Sequence, residues 1–432
     1  MSQSFWLHNL KEQQTVNIEG DHVYDIAIIG AGITGVSTAF HLLTKCDHEK
    51  APRVVLIEQR QVSGGATGRN GGFLFPELSL SKLLLNNEQS KQPPSKEEVY
   101  KLYEFTLKSA HDLIHKVIKN EQLNINCDLM SNGCCLVASN DQELKNLQQD
   151  FALTSEMLQQ HRVNSQWLKL LQVEMWDQAK CAQELQTNKF IGALFYKNAH
   201  TLYPAKVVHG IVDYLLEKFG GNKNTFSLFT QTKVVSVQYQ EQQQAHEITT
   251  LDTKASVMKA KHIVYATNAW TRELLPQFKD LITPVRGQML ATPPLAHLNL
   301  KYGIVSNSGY EYFNQRSTSD KRLLMGGCRW KTPTREVDTL DDSIVEPTIS
   351  ESLRSFAHDL FNTQDNSKKA DAFEWTGIMG FSKDELPVIG KLPNMQNAYI
   401  AAGYTGGGMP MAFTAAEVVA DLILYDKVQV PE

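Results

Sequence analysis

Apolar and polar positions over the first 60 residues fall into a recognisable order. An apolar run over 24–29 predicts a buried strand, the stretch 32–44 a helix, and Val54 to Ile57 a second strand. Strand, glycine turn, helix and strand in that order predict a βαβ unit and a parallel sheet. Farther on, Val99, Leu102, Phe105, Leu113, Val117 and Ile118 recur close to a 3.6-residue period, which predicts a helix over 97–119. Helices over 141–160 and 173–186 are expected to bracket short strands near 133–138 and 192–196. Pro204 suits the start of a helix, and Gly220 with Gly221 its end. Strands around 234–239 and 262–266 follow, joined by a polar stretch rich in Gln. Alternation over 285–330 predicts antiparallel strands; then come a helix over 349–362, a buried strand at 399–402 and a last helix over 409–425.

Length and composition narrow the class. A chain of 432 residues exceeds what one hydrophobic core usually supports, so two domains are expected. Apolar residues at 42% and charged residues at 21% are those of an ordinary globular protein. A net charge of -5 without a Lys/Arg cluster gives no field for a phosphate backbone, so no nucleic acid partner is expected. No apolar run approaches the roughly 18 residues of a membrane span. Residues 1–22 are polar and read as a flexible N-terminus, and the cytoplasm is the default location, with no membrane partner. Six cysteines match no zinc spacing, so no metal site is expected.

The chemistry begins at Gly30-Ala31-Gly32-Ile33-Thr34-Gly35, a G-x-G-x-x-G run between strand and helix. Gly30 permits the tight turn, Gly32 lets backbone amides approach a pyrophosphate at the helix N-terminus, and Gly35 allows close helix–strand packing. Glu58, followed by Gln59, closes the second strand where a carboxylate can accept hydrogen bonds from a ribose diol. A structural glycine turn with a surface acid is the competing explanation. Two further glycine stretches separate FAD from NAD: Ala66 to Gly72, and Gly403 to Gly408 between a strand and a helix. A helix N-terminus there suits the negative charge that a reduced flavin gathers.

Taken together, the G-x-G-x-x-G unit, ATGRNGG (66–72), ATNAW (266–270), PVRGQ (284–288), WTG (375–377), DELPVIG (384–390) and GYTGGGM (403–409) resemble the D-amino-acid-oxidase superfamily. Glycine oxidase, sarcosine oxidase and γ-glutamylputrescine oxidase-like enzymes belong to it. The resemblance implies an α/β fold: a Rossmann-type FAD-binding domain plus an α+β substrate domain with a large antiparallel or mixed sheet. It assigns 23–85, 200–284 and 373–432 to the first and 86–199 with 285–372 to the second. It implies that Gly30, Gly32, Ile33, Thr34, Gly35, Glu58 and Gln59 hold the ADP half of FAD, with Val234 beside the adenosine. Thr67, Arg69, Asn70, Gly71, Gly72, Thr267 and Trp270 would lie along the cofactor. Gly403, Thr405, Gly406, Gly407, Gly408 and Met409, with Asp384 and Pro387, would border the ring. Relatives that fix FAD covalently use a cysteine where this chain has Gly377, so dissociable FAD is expected. Leu324 and Cys328 stand where sarcosine oxidases carry a lysine and a histidine, which puts rapid reaction with oxygen in doubt.

The implied reaction is oxidation of the C–N bond of a small amine or amino acid to an imine by hydride transfer to flavin N5, with oxygen or another acceptor taking the electrons. Substrate-side candidates are Tyr310 and Tyr312, expected to share one face of a strand, Arg329, whose planar fork suits a carboxylate, and Cys328. Core packing competes for the tyrosines and the cysteine, and a surface ion pair for the arginine. A dehydrogenase using an acceptor other than oxygen, and a catalytically silent FAD-binding protein, remain the alternatives.

Overall fold

The computed structural model describes residues 3–15, 23–47, 50–85, 94–220, 225–251, 257–316, 320–361, 363 and 372–428. The expected βαβ unit is present as the strand Val23–Ile29, the helix Ile33–Thr44 and the strand Val54–Ile57. These strands are the middle of a sheet ordered Val388–Lys391, Ala398–Ala402, Val257–Tyr265, Val23–Ile29, Val54–Ile57, Phe226–Phe229. All neighbours are parallel except the edge strand Val388–Lys391. Ala27, Ile28, Val54, Val55 and Leu56 are wholly buried, as strands covered on both faces must be. The helices Ile33–Thr44, Pro204–Phe219 and Ala412–Tyr425 pack together on one face.

A second sheet is mixed and runs Phe373–Ser382, Ile282–Pro294, Arg322–Gly327, Glu311–Gln315, Gly303–Ser306, Cys134–Ala138, Gly192–Tyr196, Val173–Asp177. Gly303–Ser306 and Cys134–Ala138 are its parallel pair; the other neighbours are antiparallel. Its own core gathers Phe190, Phe313, Leu323 and Leu353 against the helix Pro347–Phe361.

Several expectations need correction. The strand Phe373–Ser382, assigned with the tail to the first domain, pairs with Ile282–Pro294 from Ile282↔Ser382 to Ala291↔Phe373 and so belongs to the second sheet. Residues 173–186 are not one helix: Val173–Asp177 is an edge strand, and Asp177 caps a helix that begins at Gln178. The Gln-rich connection hides a strand, Ala245–Leu251, whose buried positions alternate at His246, Ile248 and Thr250. The helix from Lys96 turns into a π-helical stretch at Leu113–Ile118, and the last helix starts at Ala412, not 409.

The largest correction lies at the N-terminus. Phe5–His8 forms a helical turn capped by Ser4, and Trp6 is completely buried. The Trp6 indole N–H donates to the Asn70 carbonyl at 2.6 Å, and the Ser4 hydroxyl to that of Gly68 at 2.6 Å. A polar-looking leader thus anchors the glycine segment 64–72.

Candidate active site

The dinucleotide turn is built from backbone constraints. Gly30 has φ +105°, and a Cβ there would lie 2.6 Å from the Ala266 carbonyl oxygen, so only glycine fits. Beyond it the Glu58 carboxylate is buried and accepts from the Ala31 amide at 2.9 Å and the Arg60 amide at 2.8 Å. Burial pushes its pKa up, against the opposing pull of those amides. Each oxygen keeps a lone pair beyond these bonds for a ligand.

Residues 64–72 do not form a loose loop. Ala66–Arg69 is a 3-10 turn, and four successive carbonyls from its end onward are held: Gly68 by Ser4, Arg69 by the Trp375 indole, Asn70 by Trp6, and Gly71 by the Asn314 amide at 2.9 Å. Arg69 itself is buried, donating to the carbonyls of Gly64 and Thr376 and lying 3.6 Å from Asp342. Burial pulls its pKa down while Asp342 opposes the change. Thr67 accepts from the Ile33 amide at 3.0 Å, tying this segment to the start of the dinucleotide helix.

The third glycine segment meets the first. The Thr34 hydroxyl donates to the Tyr404 oxygen at 3.0 Å. Thr405 and Gly406 have φ of 48° and 89°, and the Thr405 hydroxyl accepts from the Ser382 amide. Asn268, in the ATNAW segment, accepts from the Gly403 amide at 3.0 Å. Cβ atoms placed on Gly406, Gly407 and Gly408 would meet nothing closer than 3.4 Å, so these glycines leave free space before the helix Ala412–Tyr425.

All three segments line one cavity of about 920 Å³. That is the upper part of the range for cofactor and ligand sites. Its wall includes Gly30, Gly32, Ile33, Thr34, Glu58, Gln59 and Val234 from the first sheet. Thr67, Arg69, Asn70, Gly71, Thr267, Trp270 and Thr405 to Met409 continue it. Five expected cofactor residues are not on the wall. Gly35 serves packing: a Cβ there would sit 1.9 Å from the Gly30 carbonyl oxygen. Gly72 backs onto Trp6 and the Leu202 carbonyl, and Gly403 onto Ile282 and Ser382. Asp384 is exposed and caps the turn at Leu386, so Glu385 and Leu386 line the cavity where Asp384 and Pro387 were expected.

The second sheet contributes Tyr310, Tyr312 and Arg329 to the same cavity. The Tyr312 ring lies against Gly71 and Gly326, where any Cβ would come within 2.8 Å of it. Burial pushes its phenol up to about 12, although the nearby Arg329 opposes this, so it remains a neutral donor. Tyr310 stands just before the strand Glu311–Gln315, not in it. Its ring and that of Phe381 flank the Arg329 guanidinium at 4.9 and 5.4 Å. Cys328 does not reach the wall. Its left-handed backbone (φ 56°) directs the thiol into the second core beside Glu311, where burial pushes the pKa up. Leu324 is likewise fully buried and off the wall.

A family profile described as FAD dependent oxidoreductase (DAO) matches residues 25–422. The chain belongs to the DAO family of FAD-dependent oxidoreductases. Within it, the chain is 25% identical to the probable oxidoreductase OrdL of Haemophilus influenzae over 93% of this chain and 83% of that protein. It is 24% identical to the γ-glutamylputrescine oxidoreductase of Escherichia coli over 93% and 84%. The fold superposes on the crystal structure of glycine oxidase from Geobacillus kaustophilus with TM-score 0.71 and 19% identity, covering 95% and 97% of the two chains.

The residues present fit the family's cofactor. An open backbone cradle at Gly406–Gly408, a buried carboxylate facing the cavity at Glu58 and a helix N-terminus at Ile33 are what a flavin, a ribose and a pyrophosphate require. Sequence reading missed Trp6, Trp375 and Asn314, which hold the glycine segment from behind. Trp6 carried a signal, an aromatic pair in an otherwise polar leader, and Trp375 stood in the WTG segment, where its supporting role was not apparent.

Proposed function

We propose that this protein oxidises the C–N bond of a small amine or amino acid, with FAD lying along the cavity from Val234 to Met409. Bound FAD supplies the ring that accepts a hydride. Gly30, Gly32, Ile33, Thr34 and Glu58 hold the ADP half, and Gly71 with Gly406 to Met409 flank the ring. The observation that carries the reading is the contact of the Tyr312 ring with the backbone at Gly71. In this reading a neutral phenol and the aromatic-flanked Arg329 line the same cavity as the glycine cradle.

The roles of these residues follow from their settings. Arg329 fixes a carboxylate through its planar fork, and its aromatic neighbours hold the fork in place. Tyr312, kept protonated by burial, donates a hydrogen bond without exchanging a proton at ordinary pH. The apolar parts of the wall would shield the reacting carbon from water; a neutral amine that gives up hydride from the adjacent carbon becomes an iminium ion, which loses a proton to water and is hydrolysed. Names of relatives such as γ-glutamylputrescine oxidoreductase support the donor class.

Anaerobic titration of the yellow holoprotein with N-methyl amino acids, D-amino acids, glycine and polyamine conjugates tests this. The account expects at least one class to bleach the flavin; a flavin that stays oxidised with all of them contradicts it.

A further inference from the structure

The cavity does not stop at Tyr312. It continues along the segment from Gly71 to Glu77, past Phe73, Phe75 and Leu78, and is closed by Leu102, Leu136 and Leu147 from other elements. Six residues of extended chain span at most about 20 Å. The walls of this arm are aliphatic and aromatic, and its far end is acidic.

At that end the Glu77 carboxylate lines the cavity, and among the described residues it has no hydrogen bond or ion pair. Asp150 lies next to it, 5% exposed, held by the Ser81 amide at 2.7 Å and the Ser79 hydroxyl at 3.1 Å. Glu143 lines the same end but already accepts from the Ser139 amide. Lys82, the nearby cation, is bridged to Glu385 at 2.7 Å. The buried hydroxyls of Tyr103 and Tyr196 lie beside Glu77 and lack a well-formed partner among the described residues. Burial, with Asp150 adding to it and Lys82 opposing, pushes the Glu77 carboxyl up to about 7. Glu77 is half-buried, and an acid left unpaired in so confined a place is costly unless something arrives to pair with it.

We propose that this arm is a subsite for the far end of the substrate: an alkyl chain that ends in a cationic amine, its methylenes against Phe75 and Leu147 and its ammonium on Glu77 with Asp150. This rests on the reading that the reacting end lies by Tyr312, and it narrows the substrate to molecules carrying a second, distal cation. A chain ending in a neutral or anionic group leaves Glu77 unpaired or meets like charge there.

The test uses the FAD-loaded protein and matched probes: α,ω-diaminoalkanes of graded length against n-alkylamines of the same length, and lysine against norleucine in both enantiomers. Dissociation constants are read from flavin spectral perturbation, and reduction is read separately under anaerobic conditions. The cationic member of each pair is expected to bind about tenfold or more tightly, as a charge-assisted hydrogen bond requires. Glu77→Gln should bring the pair to near equality, whereas Glu77→Asp, which keeps the charge, should retain part of the preference. Equal binding within pairs, no detectable binding of any probe, or a preference that survives both Glu77→Gln and Asp150→Asn, overturns the subsite. Glu77-dependent binding without any flavin reduction would sink the amine-oxidation reading and leave the subsite standing.

Discussion

The Thr34 hydroxyl donates a hydrogen bond to the Tyr404 phenol at 3.0 Å, joining two glycine segments 370 residues apart in the chain. Both residues line the cavity, so the bond would hold the width of the cleft proposed for FAD. Burial pushes the Tyr404 phenol far up, and it stays neutral at any working pH. Removing the phenol oxygen in Tyr404→Phe should therefore weaken FAD binding about fivefold, the value of one buried neutral hydrogen bond of about 1 kcal/mol. Thr34→Val should do the same, and the double variant little more, since both break one bond. Fluorescence titration of FAD into the cofactor-free protein measures this; additive losses would mean that the bond is not the link.

Gly377 sits under Arg69, and a Cβ at that position would lie 2.7 Å from the Arg69 Cβ. Gly377 offers no thiol for a covalent flavin bond, so this chain should release its FAD wholly into the supernatant on acid precipitation. Gly377→Ala should cost about 1–3 kcal/mol as Arg69 is pushed from the Gly64 and Thr376 carbonyls. Urea denaturation reads that loss, and an unshifted midpoint would refute the contact.

Trp6 fills a fully buried site and caps the Asn70 carbonyl. Trp6→Ala should lose about 3–5 kcal/mol of stability, and with it FAD retention, because the segment behind the ring loses its support. Trp6→Phe keeps most of the packing but orphans the carbonyl, for a loss of about 1–3 kcal/mol. Thermal melts with and without added FAD separate the two; wild-type flavin affinity in Trp6→Ala would contradict the role.

Arg329 is set between Tyr310 and Phe381, and it donates a long hydrogen bond of 3.4 Å to the Arg335 carbonyl. For a carboxylate-bearing substrate, Arg329→Ala should raise KM roughly 30-fold or more with the flavin spectrum unchanged. Arg329→Lys should recover little, since a point charge does not replace a fork held between rings. An unchanged KM removes Arg329 from the site.

Much of the cofactor side was legible because its chemistry is local. Gly30, Gly32 and Glu58 stand at spacings that one strand and one helix dictate, and all three line one cavity. The misreadings have a common cause: long-range pairing decided what local pattern left open. Val173–Asp177 became a strand because an edge of the second sheet was there to receive it. Cys328 turned inward because Gly327 and Cys328 adopt left-handed backbone beside the Tyr310 carbonyl. Asp384 resembled a ring neighbour in sequence, yet the turn it caps points Glu385 and Leu386 at the cavity instead. Glu77 and Asp150 carried no shared motif at all; only the closing of the cavity brings them together.

Whether the two ends of the chain grip one and the same cofactor is tested most directly by FAD stoichiometry and affinity in paired variants. Stripped wild-type protein should take up one FAD per chain, and both Gly32→Val, at the dinucleotide turn, and Gly407→Leu, in the tail, should weaken uptake strongly. A Gly407→Leu protein that binds FAD as tightly as wild type, with an unaltered flavin spectrum, would contradict the shared site.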